Sequence, residues 1–99
     1  MLDNLTYDQM QQHVGTVFHA DAEETTVDLK LVRVGKVMES AAAHLPRHPF
    51  SLYFDGPQNV FLPQRIYRLR HDGLAEPLDI FLVPIARTAS GFTYEAVFA

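Results

Sequence analysis

The hydrophobic and polar positions change period once along this chain. In "LTYDQMQQHVG", residues 5–15, the apolar side chains Tyr7, Met10 and Val14 recur at helical spacing. Thr6 is placed to cap the first turn, Asp8 suits the positive end of the helix dipole, and Gly15 suits a stop. A short helix with one apolar face, stapled by Leu2 and Leu5 and covering part of a sheet, is predicted.

From residue 16 onward the period is two. "TVFHA" (16–20) reads as a short strand, "DAEE" (21–24) as an acidic connector, and "TTVDLKLVRVGKV" (25–37) as a long strand. In the long strand Val27, Leu29 and Leu31 share one face, with Asp28 and Lys30 on the other. Val32 and Val34 then occupy the opposite parity, which predicts a β-bulge or a bend near Leu31, eased by Gly35. Residues 38–49, "MESAAAHLPRHP", show no alternation and form the longest irregular connection, the kind of segment that often carries function.

Four further strands follow. Phe50, Leu52 and Phe54 alternate with polar or amphipathic neighbours, and "DGPQN" predicts a turn that closes a hairpin onto "RIYRLRH". There Tyr67, Leu69 and His71 oppose Arg68 and Arg70. After the turn "DGLAEP", both parities of "LDIFLVPI" are apolar, which predicts a strand covered on both sides as far as Pro84. Phe92, Tyr94, Ala96 and Phe98 share one face of the last strand, whose apolar end must pair within the sheet or with another subunit. The expected fold is all-β and mainly antiparallel, a six-stranded barrel or sandwich with a short N-terminal helix.

Composition supports one compact, soluble domain over residues 1–99. At 47% hydrophobic and 20% charged the chain can build a core, and it has no internal repeat or low-complexity tract. The start "MLDNLTYDQM" is acidic where a signal peptide is basic, and the longest apolar runs fall well short of the roughly 20 residues that a spanning helix needs. A cytoplasmic location and no membrane association are expected. The formal charge of −4 disfavours general nucleic-acid binding, and with no cysteine there are no disulfides, thiolate nucleophiles or Cys-ligated metals.

The candidate chemistry is sparse. Arg65, Arg68, Arg70 and His71 form the sharpest charged cluster, readable as an anion or acidic-partner contact. The competing reading is a solvated strand face paired with acids such as Asp79 or Glu95. Tyr53, on the parity opposite its apolar neighbours, and Phe61, in the loop before "LPQ", are candidate partner contacts if exposed. His44 and His48 are four apart, but Pro46 and Pro49 break the helix that would make them a ligand pair; His13, His19 and His71 are scattered. No hydrolase elbow, nucleotide loop or HExxH helix is present, and Ser51, His71 and Asp72 have no spacing that supports a triad. No cofactor is expected.

"FSLYFDGP", "LPQRIYRLRH", "LDIFLVPI" and "YEAVFA", with "LTYDQMQQHVGTVF" before them, resemble a family of small bacterial proteins of unestablished function. Members of that family are associated with phage-tail-like or tail-collar-type genes, so the resemblance implies a structural or accessory role and assigns no catalytic residue. The acidic, Pro-containing turn in "HDGLAEPLDIFLVP" departs from the family pattern and leaves the geometry of that hairpin open.

Three readings follow. The preferred one is a non-enzymatic interaction or assembly module with a protein partner or a second copy of itself. The alternative is a small-molecule or anion-binding barrel with polar contacts from Arg68, Arg70, His71 and Tyr94. The third, a hydrolase or metal enzyme, needs His44, His48 or His71 to converge with carboxylates.

Overall fold

The computed structural model describes residues 6–36 and 50–98. A helix α1 (Tyr7–Gln11) precedes six strands: β1 (Val17–Asp21), β2 (Thr26–Lys36), β3 (Phe50–Pro57), β4 (Arg65–Arg70), β5 (Leu78–Thr88) and β6 (Gly91–Phe98). All pairings are antiparallel and the sheet closes on itself in the order β1-β2-β3-β6-β5-β4. Of the two architectures expected, the barrel is the one formed. β6 lies between β3 and β5, and its apolar end, Ala96 to Phe98, is paired with Leu52 to Phe50 of β3.

The helix begins where its cap predicts. The Thr6 hydroxyl accepts from the Gln9 N–H and the Gln9 side chain accepts from the Thr6 N–H, a reciprocal capping box. Met10 is fully buried, with Tyr7 and Val14 packed against the core at its margin. Gly15 adopts φ +91°, a left-handed conformation that ends the turn, and its N–H donates to the Leu31 carbonyl. Leu2 and Leu5, the expected staple, lie outside the described residues.

The barrel interior is filled by alternate residues of every strand. Phe18, Ala20, Leu29, Leu31, Phe50, Leu52, Phe54, Tyr67, Leu69, Ile80, Leu82, Tyr94 and Ala96 are all essentially inaccessible. The phase change in β2 is a register shift between Leu31 and Arg33, with Val32 turned outward and Val34 returned to the core.

Two expectations are corrected. First, residues 50–71 are not a hairpin. The strand β3 continues through Gly56 and Pro57, paired with Phe92 and Gly91 of β6, and residues 58–64 then cross the barrel end to reach β4, which pairs with β1 and β5. A Gly-Pro step is tolerated in a strand, so it predicted a turn one step too early.

Second, β5 is not covered on both sides: Leu78, Ile80 and Leu82 are buried, but Phe81 is 48% exposed and Val83 half-buried. Its second apolar face is an outer barrel wall.

The strand β5 also runs past the predicted residues 78–85. A register shift between Pro84 and Ala86 absorbs the proline, and the strand runs on to Thr88. A two-residue loop then returns through Gly91, whose φ of +154° suits glycine.

Candidate functional site

The arginines of the cluster are each held in an ion pair, Arg68 and Arg70 on the outer face of β4 and Arg65 on the opposite parity at its start. Arg70 grips Asp21 through Nη2 at 2.7 Å and Nε at 3.1 Å, with a further Nη2 contact of 3.3 Å to the Thr26 hydroxyl. This fork holds the Asp21 carboxyl below the ordinary carboxylate range and raises Arg70. Arg68 meets Asp79 at 3.2 Å, the cross-strand neighbour that its register dictates. Arg65 reaches Glu23 at 3.4 Å and lies over the ring of Tyr67. Each guanidinium faces a carboxylate of this chain, so the face presents balanced charge rather than an open anion cradle.

His71 stands just beyond β4 in a different environment. Its Nδ1 accepts from the Gly73 N–H at 2.8 Å, and its Nε2 lies 2.8 Å from the Thr16 hydroxyl. Thr16 donates its own proton to the His13 carbonyl at 2.6 Å, so Nε2 carries the imidazole proton and the ring is held neutral. The ring packs on Phe18 and on the ring of His13, and burial followed by the nearby His13 pushes its pKa down. Position and tautomer are both explained by cross-linking of the α1–β1 connection to the end of β4. Ser51 lies on β3, apart from His71 in the strand order, and among the described residues no group of three or more ligating side chains can hold a metal ion. His44 and His48 lie outside the described residues.

The loop of residues 58–64 is fastened into the barrel by two tyrosines. The Tyr94 hydroxyl accepts from the Leu62 N–H at 3.0 Å, and the Tyr67 hydroxyl donates to the Pro63 carbonyl at 2.6 Å. Burial raises the pKa of both phenols. Leu62 is thereby sunk into the core, while Phe61 remains 53% exposed with its edge against Phe92. Of the four polar contacts that the ligand-binding reading expects, Tyr94 points into the barrel with its hydroxyl already engaged by the backbone, and His71, half-buried against Phe18, is held by Thr16 and Gly73. Arg68 and Arg70 point outward.

The sequence-predicted contacts do not converge on one place. Arg65, Arg68 and Arg70 are on β4; Tyr53 is on β3, beyond the intervening β5 and β6, with Arg33 stacked 4.0 Å from its ring centroid. Phe61 turns to β6, whereas Arg70 turns to β1.

Between them lies a feature that sequence reasoning missed. Ile66 on β4 is 66% exposed, its direct cross-strand partner Phe81 on β5 is 48% exposed, and Val97 on β6 is 62% exposed. The β5–β6 pairing reaches Val83 and Glu95, and Phe81 and Val97 stand two residues beyond it on the outward faces of their strands. Three large exposed apolar side chains thus stand on three neighbouring strands, with Ile66 directly opposite Phe81. The signal was present in the parity: Ile66 shares the phase of Arg68, and Phe81 that of Asp79, so both apolar residues sit on charged faces.

No helix among the described residues is long and apolar enough to cross a membrane. Residues 5–98 match the model of a family described as a domain of unknown function, DUF6916, and the chain belongs to that family. No curated protein and no solved structure matches the chain.

Proposed function

We propose that this member of the DUF6916 family is a non-enzymatic interaction or assembly module that engages a protein surface through the β4–β5–β6 wall of its barrel. The observation that carries this reading is the exposed apolar set Ile66, Phe81 and Val97 on three neighbouring strands, Ile66 and Phe81 being direct cross-strand partners. Apolar residues scattered singly over a surface are ordinary, but a cluster on a rigid sheet marks a contact surface. Strand side chains are also held in fixed register, so little ordering entropy opposes docking there.

The small-molecule alternative is less well supported. Tyr67, Tyr94, Phe18, Phe50 and Phe54 are fully buried across the interior, which is where a ligand of a small barrel would sit. The outward arginines already face Asp21, Glu23 and Asp79.

The test is affinity capture from an extract of the native host, with the wild-type chain and a Phe81→Glu variant as parallel baits. A protein captured by the first and lost by the second supports the reading, whether it is a different chain or the bait's own endogenous copy. Equal capture by both baits, or none by either, overturns it.

A further inference from the structure

We infer that the partner seated on the β4–β5–β6 wall is a second copy of this chain, related by a two-fold axis through Phe81; this rests on the interaction reading above. The wall is complementary in charge to itself. Arg68 lies one strand to one side of Phe81 and two residues toward the strand's start, opposite Asp79. Glu95 lies one strand to the other side and two residues the opposite way, opposite Val83. Arg68, whose guanidinium also holds the exposed Asp79 at 3.2 Å, and Glu95 therefore stand at the two ends of a diagonal centred on Phe81.

A two-fold axis lying in the contact plane, through Phe81 and at right angles to that diagonal, sets each copy's Arg68 over the other's Glu95. It brings Phe81 against its own counterpart, with Ile66 and Val97 around the ring pair. An isologous contact requires such self-complementarity, since one patch must serve both subunits.

Glu95 is also the strand carboxylate that lacks an ion-pair or side-chain hydrogen-bond partner among the described residues. Asp21, Asp28, Asp55 and Asp79 each have one, in Arg70, His19, Thr93 and Arg68. Glu95 is half-buried, flanked across the strands by Tyr53 and Val83. A carboxylate in that setting gains most from a cation delivered by a docking surface.

Sedimentation velocity on the wild type, on Glu95→Arg and on Arg68→Glu, from micromolar to millimolar, tests the arrangement. The wild type forms a dimer that weakens with salt. Each variant alone sets like charges over each other twice, which raises its dissociation constant by about 100-fold or more. Mixed in equal amounts, the two variants are complementary at both ion pairs and recover a heterodimer of near wild-type affinity, which also shows that both are folded. Phe81→Ala, at an exposed position, weakens the dimer without the charge change.

A wild type that stays monomeric at every concentration overturns the self-association, while Phe81-dependent capture of a different protein would keep the broader interaction reading. A dimer indifferent to Arg68 and Glu95, or a mixture as monomeric as its parts, overturns the two-fold placement.

Discussion

The Tyr94 hydroxyl, at the centre of β6, accepts a hydrogen bond from the backbone N–H of Leu62 at 3.0 Å, and so ties the loop that crosses the barrel end to the core beneath it. Tyr94→Phe leaves that N–H buried without a partner. The expected cost is about 1–3 kcal/mol, the penalty for an unsatisfied buried donor, read as a lower urea midpoint with an unchanged m-value. Tyr67→Phe, which releases the Pro63 carbonyl, costs less because a carbonyl at the loop margin can be met by water.

Gly91 closes the β5–β6 hairpin with its φ of +154°, and a Cβ added there would run into the carbonyl oxygen of Gly56 on the paired strand. Gly91→Ala is expected to destabilise by more than the roughly 1–3 kcal/mol of backbone strain alone, because the ladder must also shift. Gly15→Ala meets open space, so only its left-handed conformation is penalised, at about 1–2 kcal/mol. Thermal unfolding of the two variants side by side ranks them in that order.

His71 makes stability depend on pH. Its folded pKa lies below the ordinary imidazole value of about 6.5, so the unfolded chain binds the proton more readily than the folded one. The contribution is fully present above that value and is lost as pH falls below it toward the depressed folded value. Protonation would put a hydrogen on Nδ1, where the Gly73 N–H now donates, with His13, His19 and Asp72 as the nearby ionisable groups. Denaturant titrations on either side of about pH 6.5 should show the weaker fold on the acid side. His71→Gln, which keeps a donor and an acceptor, should flatten that slope.

The arginine face should be tolerant. Arg70→Ala removes a pair whose side chains are 47% and 40% exposed, and exposed pairs are screened by water and salt and add little to stability. Equilibrium unfolding in low and high salt is expected to show a small loss that salt erases.

The helix cap, the β2 phase break and the inward residues of the last strand were legible because each is a local signal: a capping pair, a change of parity, an alternating run. Topology was less so. Nothing local in "DGPQN" says that β6, more than thirty residues later, will pair with Gly56 and Pro57 and carry β3 past its apparent turn. The docking wall was misread for a related reason. In "LDIFLVPI" the sequence distinguishes apolar from polar, not core from outer wall, and Phe81 reads alike in both until its exposed cross-strand partner Ile66 is placed beside it. Glu95 was read as a partner for strand arginines, whereas β5 separates it from β4 and Arg68 turns to Asp79.

The central claim, that the β4–β5–β6 wall is the contact surface, is tested most directly by backbone amide NMR shifts followed as the protein is concentrated from a dilute monomer. Progressive shifts are expected at Ile66, Arg68, Phe81, Val83, Glu95 and Val97, with Val27, Asp28 and Lys30 on the opposite side of the barrel unmoved. Spectra that superimpose at every concentration, or shifts confined to Phe61 and its loop, would contradict it.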